Sequence, residues 1–278
     1  MAFGPLVSSG WLAAHLDHDG LRVVDTRWYL DEPDQGPQAY RDSHIRGAVY
    51  MDLDTDLSAA TGPGRHPLPD PDDFMLTLGR MGIEPGTAVV AYDDRGGAIA
   101  SRLWWMLRDL GHDRVAVLDG GLAAWPVELM DGAAVSPPSC TYAATVGHMP
   151  QIDRDQLAAR LGEVVALDAR DGERYRGEEE PVDPVAGHIP SARSTPMSDN
   201  LGEDERFKSP TELAAAFSYA GVGVGSEVVS YCGSGVTACH TILAMELAGL
   251  PPAALYPGSW SDWATAGMPV AVGPDPGS

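Results

Sequence analysis

The stretch SYCGSGVTACH, residues 230 to 240, puts a thiol where it can react. Cys232 ends an apolar run, EVVSY, and opens a short loop that contains Gly233, Ser234 and Gly235. The pattern then turns helical through ACHTILAMELAGL. A residue at the carboxyl end of a buried strand and the amino end of a helix faces unpaired N–H groups and the positive end of the helix dipole. In open parallel sheets, chemistry gathers at such ends. Two glycines let the loop curl so that several amides point inward and form a nest for an anion. Such a nest favours sulfur in its nucleophilic, anionic form. The bland alternative is a buried cysteine packed as a small hydrophobe; the glycines and the strand–loop–helix setting argue against it.

Other loop chemistries fail on residue type. A cysteine phosphatase clamps phosphate with an arginine six positions after its cysteine, and position 238 is alanine. A Walker loop needs Gly-Lys-Ser/Thr, which is absent here. A papain-type protease needs a His–Asn pair and different flanks. Cys239 falls two turns into the helix on its core side and reads as packing; Cys140 lies in a Pro/Ser-rich stretch and reads as incidental. Three cysteines with no CxxC pair make neither a disulfide framework nor a zinc site. No metal and no organic cofactor is expected.

The elements that would hold this loop alternate. LRVVD, TAVVAY, RVAVLD, EVVALD, SEVVSY and PAALY read as buried strands. PDDFMLTLGRMG, GAIASRLWWMLRDLG, IDRDQLAARLG, SPTELAAAFSYAG and GVTACHTILAMELAG read as helices between them. Alternation of this kind implies an α/β fold with parallel sheets covered by helices on both faces. The pattern also repeats. VVAYDDRGG at Val89 recurs as VVSYCGSGV at Val228, and VLDGGLAAW at Val117 as LYPGSWSDW at Leu255. VVDTR at Val23 recurs as ALDAR at Ala166, and SHIRGA at Ser43 as GHIPSA at Gly187. Four matches in one order imply a tandem duplication. The expected division is a first domain over 1–128, a linker rich in Pro, Ser and Gly over 129–150, and a second domain over 151–278. Asp93 stands where the second half has Cys232, so only the second half can do thiol chemistry.

With 278 residues and 44% apolar content, the chain can fill two cores of ordinary size. The formal charge of −22 repels phosphate backbones and anionic membranes. Neither nucleic acid nor a membrane is expected as a partner, and an anionic substrate needs a local group of arginines. MAFGPLVSSGWLAAHLD lacks a basic segment and a long apolar core; Ser8-Ser9 before WLAAHL reads as a capped helix. No run approaches a membrane span. A cytoplasmic protein with reduced thiols is the expectation.

On HIRGA, HIP, LDGGLAAW, YPGSWSDW and above all CGSGVTA, the chain resembles two-domain sulfurtransferases of the rhodanese family over about residues 5 to 270. The resemblance implies that Cys232 carries a persulfide in a six-residue loop ending at Thr237, with Gly233, Gly235, Val236 and Thr237 lining the substrate. The thiolate would take the outer sulfur of a small anionic donor. A small thiol, cyanide or a thioredoxin-like acceptor would then remove it, in ping-pong fashion. The loop is similar to that of enzymes using 3-mercaptopyruvate, whereas thiosulfate-using members carry cations after the cysteine. In the mercaptopyruvate group Ser234 would relay a proton with a histidine, to which His44 corresponds, and an aspartate, either Asp31 or Asp34. Arg174 matches a substrate-binding arginine, with Arg176 nearby to help. A second arginine is expected further along, but Asp183 stands about there. The alternatives are a thiosulfate:cyanide sulfurtransferase and, of another class, a non-catalytic persulfide carrier or redox-sensing module. Trp28, Trp104 and Trp105 are candidates for covering the loop, and Asp168 with Arg170 for bracing it.

Overall fold

The structure, a computed structural model, describes residues 3–133 and 136–277. The chain divides into two compact units. The first comprises the chain up to Ala60, Leu68–Met149 and Glu203–Arg206. The second comprises Thr61–Pro67, Pro150–Gly202 and the chain from Phe207. Two features of this division differ from the expected boundaries. Most of the 129–150 stretch packs with the first unit (Ala134 and Val135 lie outside the described residues). The short segment 61–67, from the first half of the sequence, packs with the second unit.

The first unit runs β1 (Leu6–Val7), α1 (Ser9–His15), β2 (Leu21–Asp25), α2 (Gln35–Asp42), β3 (Val49–Tyr50), α3 (Pro71–Arg80), β4 (Ala88–Tyr92), α4 (Ala100–Asp109) and β5 (Val115–Leu118). Its strands form one parallel sheet in the order β1-β5-β4-β2-β3. The second unit runs α5 (Arg154–Ala158), β6 (Val165–Asp168), α6 (Gly172–Arg176), β7 (Arg193–Ser194), α7 (Pro210–Tyr219), β8 (Val228–Tyr231), α8 (Thr237–Leu247), β9 (Ala254–Leu255) and α9 (Ser259–Thr265). Its parallel sheet has the order β7-β6-β8-β9. The counterpart of β1 is reduced to a single parallel bridge, Gln151 to Leu255. Both sheets are flanked by helices, the α/β architecture implied by the alternating pattern.

Local chemistry explains the boundaries. Ser8 caps α1 by accepting from the Trp11 amide, Asp70 and Pro71 start α3, and Ser209 with Glu212 forms a capping box on α7. The central strands β4 and β8 are buried along their whole length, as parallel strands covered on both faces must be. Trp104 and Trp105 are fully buried in α4, and Trp28 donates to Asp54. All three lie in the first unit. No helix among the described residues is long and apolar enough to cross a membrane.

The recurring Asp-x-Arg is a buried brace in each unit. Arg27 bonds Asp25 and the carbonyls of Ala39 and Ser43; Arg170 bonds Asp168 and the carbonyl of Gly187. The tyrosine ending each central strand completes it. Tyr92 donates to Asp25 and accepts from the Ile45 amide, and Tyr231 sits likewise between Asp168 and the Ile189 amide. Burial first, and then Asp168, holds the Tyr231 phenol well above its ordinary pKa.

The loop after β4 shows what the strand-to-helix turn requires. Asp93 is buried, and its carboxylate accepts from the amides of Arg95 and Gly97 at 2.9 and 2.8 Å. Its other oxygen accepts from Ile99 and Ala100 at 2.7 and 2.9 Å. Burial pushes this carboxyl up, and the four amides pull against it. The loop is an anion nest filled by its own side chain. Replacing Asp93 with Ala leaves four inward amides without their acceptor. We expect a loss of about 3 kcal/mol or more in the first unit's stability, read by denaturant titration; a change below about 1 kcal/mol would mean that the carboxylate is not what holds the turn.

Candidate active site

The loop after β8 carries a sulfur at the position where the first unit has the Asp93 carboxylate. Cys232 is buried, and its Sγ accepts from the Gly235 amide at 3.1 Å. Its own amide donates to the Ser259 hydroxyl at 3.1 Å, which in turn donates to the Tyr256 carbonyl. Ser259 has φ 52°, matching Gly121 at φ 53° in the first unit. A side chain rarely adopts this region, and here the serine hydroxyl is what the strained backbone delivers to the cysteine. The Cys232 and Gly233 carbonyls accept from the Trp260 and Ser261 amides at 3.0 and 2.9 Å, so the start of α9 fixes the loop from outside.

Gly235 has φ +78°, and a Cβ there would stand 2.3 Å from the Pro257 carbonyl oxygen. Only glycine permits both the curl and this approach. Val236 caps α8, and Thr237 is its first residue. Gly233, Ser234, Gly235 and Val236 thus link Cys232 to Thr237 at the start of the helix, and of these the Gly235 amide faces the sulfur. Cys239 is buried in α8 and donates to the Gly235 carbonyl, packed beneath the loop.

Ser234, mostly buried, shares a 2.7 Å hydrogen bond with a histidine, but the histidine is His66. The histidine beside Ser234 is therefore not the expected His44. His44 lies in the first unit, its Nδ1 bonded to the Tyr40 carbonyl and its ring stacked 4.1 Å from Tyr40. His188, its repeat mate, does the same with Tyr175. The two units thus repeat one arrangement, a histidine bonded to the carbonyl and stacked on the ring of a tyrosine. Asp31 and Asp34 are exposed in the first unit beside α2, Asp34 at its N-terminus.

Arg174 is held by Glu180 through Nε and Nη2 and by Asp183 at 3.3 Å. Its guanidinium also reaches Gly233; Nη1 would lie 3.6 Å from a Cβ at that position. Arg176 does not join it. Exposed to solvent on one side, its guanidinium pairs with Glu173 and Glu178, so the expected help to Arg174 lacks its geometry. Arg65 takes the place instead. It pairs with Asp183, its backbone amide donates to the Ser261 hydroxyl, and its Nη2 would lie 2.9 Å from a Cβ on Gly233.

Sequence reasoning passed over Arg65 and His66. They lie in GPGRHPLPD, a Gly/Pro-rich segment with no apolar period and no element of its own. An Arg-His pair with no packing duty to explain it was the available signal.

These groups form one chain of alternating charge. Arg170 bridges Asp168 and Glu180, Glu180 holds Arg174, and Asp183 joins Arg174 to Arg65. Burial alone would raise the Glu180 carboxyl, but Arg174 and the amides of Asp183 and Val182 hold it below its ordinary range. Trp260 covers Arg170, whose Cζ sits 4.5 Å from the ring centroid.

Gly235→Ala is expected to abolish sulfur loading at Cys232. The αL conformation costs an alanine roughly 1–2 kcal/mol, and relief of the contact with Pro257 moves the amide that faces Sγ. Thiol labelling and loading, followed by mass spectrometry, read this; normal loading would mean that the Gly235 amide is dispensable.

The rhodanese-like domain family matches residues 8–128 and 153–266. The probable 3-mercaptopyruvate sulfurtransferase of Pseudomonas aeruginosa is 45% identical, over 98% of this chain and 100% of its own length. A putative thiosulfate sulfurtransferase of Mycobacterium tuberculosis is 41% identical over 89% of each. The crystal structure of the Escherichia coli 3-mercaptopyruvate enzyme has 32% identity and a TM-score of 0.82, covering 93% of this chain and 99% of that one. With two such domains and relatives of this identity over nearly the whole chain, the chain belongs to the rhodanese-like family and is a sulfurtransferase.

Proposed function

We propose that Cys232 carries the transferred sulfur and that 3-mercaptopyruvate is the donor. The observation that carries the donor assignment is the 2.7 Å bond between Ser234 and His66, two residues from the nucleophile. The two candidate donors differ in their proton bookkeeping. In mercaptopyruvate the Cys232 thiolate attacks the donor sulfur, an S–S bond forms, and the C–S bond breaks. The electron pair leaves on carbon as the enolate of pyruvate. The proton that started on the donor thiol ends on that carbon, giving pyruvate and a Cys232 persulfide anion. With thiosulfate the S–S bond breaks, sulfite leaves with the pair, and no proton moves. A hydroxyl–imidazole relay beside the sulfur serves the first reaction and is idle in the second.

Charge agrees with this reading. Thiosulfate is a dianion, and the positions after Cys232 are the neutral Gly233 and Ser234. Arg65 and Arg174 are balanced by Asp183 and Glu180, leaving no net excess of positive charge among these four groups. Such a set suits a single carboxylate, gripped by directed N–H groups, better than a compact dianion.

In the second half-reaction a thiol or cyanide attacks the outer sulfur of the persulfide. The S–S bond breaks, and the Cys232 thiolate returns to its nest. All three cysteines are free, which suits a reducing compartment such as the cytoplasm.

Intact-protein mass spectrometry after brief exposure to each donor tests the assignment. Mercaptopyruvate should leave the wild type one sulfur heavier and Cys232→Ser unchanged. Ser234→Ala and His66→Gln should slow loading from mercaptopyruvate by about 10²-fold, the usual worth of proton transfer. The same two variants should load from thiosulfate at rates close to wild type. Equal slowing with both donors would sink the relay argument. Loading by thiosulfate alone would move the chain to the thiosulfate group, and loading by neither would favour a carrier fed by a protein.

A further inference from the structure

Arg65 has one end of its guanidinium tied and the other open. Nη1 is paired with Asp183, whereas Nη2 points at Gly233 and has no hydrogen-bond partner among the described residues. Arg174 is disposed in the same way. Its Nε and Nη2 are taken by Glu180 and Asp183, and Nη1 faces Gly233 without a partner. Two open NH2 groups from two arginines therefore converge on the backbone of the residue after the nucleophile. Two like charges come together this closely because Asp183 lies between them, one oxygen on each. That carboxylate is nearly inaccessible, at 4% exposure, while Arg65 and Arg174 keep 27% and 17%. The open edges are what solvent, or a ligand, can reach.

From this geometry we infer that Arg65 is a donor-binding residue: its Nη2 and the Nη1 of Arg174 together hold the carboxylate of the sulfur donor, and Asp183 is the positioning residue that brackets the two guanidiniums. The inference rests on the reading of the donor as a 2-oxo acid. It resolves the conflict at position 183, where a second arginine was expected and an aspartate stands. The second guanidinium is supplied from the opposite side, by the segment 61–67, and the aspartate turns from a missing cation into its anchor. The same segment brings His66 to Ser234, so the carboxylate grip and the proton relay share one short piece of backbone. A Cβ at Gly233 would stand 2.9 Å from the open edge of Arg65, so a side chain there would push that guanidinium aside.

The test uses the full chain with Arg65→Met, Asp183→Asn and the exchange pair Arg65→Asp with Asp183→Arg. Arg65→Met should raise the KM for mercaptopyruvate about tenfold, as expected for one lost charge-assisted contact, with kcat little changed. Asp183→Asn should raise it less, through loosened positioning. Arg65→Asp and Asp183→Arg alone should each be impaired, and the double exchange should recover most of the lost KM by returning a guanidinium to the site from position 183. Transfer from a preloaded persulfide to dithiothreitol, a neutral acceptor, should not change in Arg65→Met. An unchanged KM in Arg65→Met overturns the inference, as does a parallel fall in the acceptor step, which would mean a merely structural role. A wild type that mercaptopyruvate does not load overturns the donor reading instead. In that case titration of pyruvate into Cys232→Ser, with and without Arg65→Met, still decides: weaker binding in the double variant supports Arg65, and equal binding or none in either protein overturns it.

Discussion

Amides that converge at the carboxyl end of a central parallel strand must face an anion. The rest of this molecule is arranged around that constraint. In the first unit the acceptor is built in, the Asp93 carboxylate on four backbone N–H groups. In the second it is the Cys232 sulfur at the same point of the fold, facing the Gly235 amide. A single residue type thus separates a structural turn from a reactive one. The nest is inherited from backbone geometry, and what sits in it decides whether it is a brace or a nucleophile.

Around the reactive nest the second unit builds two layers of support. The inner layer is backbone: Ser259 at its positive φ, the start of α9 on the Cys232 and Gly233 carbonyls, and Gly235 against Pro257. The outer layer is the alternating row of charges from Asp168 to Arg65. Buried charges without partners would cost several kcal/mol each, so every arginine in the row is placed against a carboxylate. This explains how a chain of net charge −22 brings guanidiniums to an anion-handling site. Local pairing, rather than the field of the whole protein, holds them there.

The strand–helix alternation, the duplication and the reactive cysteine were legible in the sequence because each rests on local pattern. Buried strands show as apolar runs, amphipathic helices show as a 3.6 period, and a nest shows as glycines at a strand–helix junction. Elements too short to carry a period, such as β1, β3, β7 and α6, were not visible. The reduction of one edge strand to the Gln151–Leu255 bridge was not visible either. The repeat, helpful for the fold, misled at His44. A histidine that recurs as His188 in the half without Asp93 and in the half with it was marking a shared structural bond to a tyrosine carbonyl.

By itself, the sequence determined that this is a duplicated α/β protein with a cysteine, Cys232, at the head of one of two equivalent loops and an aspartate, Asp93, at the head of the other. Tertiary structure alone decided that cysteine's company. Arg65 and His66 lie more than 160 positions before Ser234 in the chain, in a segment with no period to announce it, and they come to the loop because residues 61–67 pack with the second unit. Arg176, adjacent in sequence to the expected site, is turned away by Glu173 and Glu178. The physical reason is the same in both cases. A side chain's neighbours along the chain set its local conformation, but its partners in a site are set by which charges and hydrogen-bonding groups the folded backbone leaves open, and no local pattern encodes those.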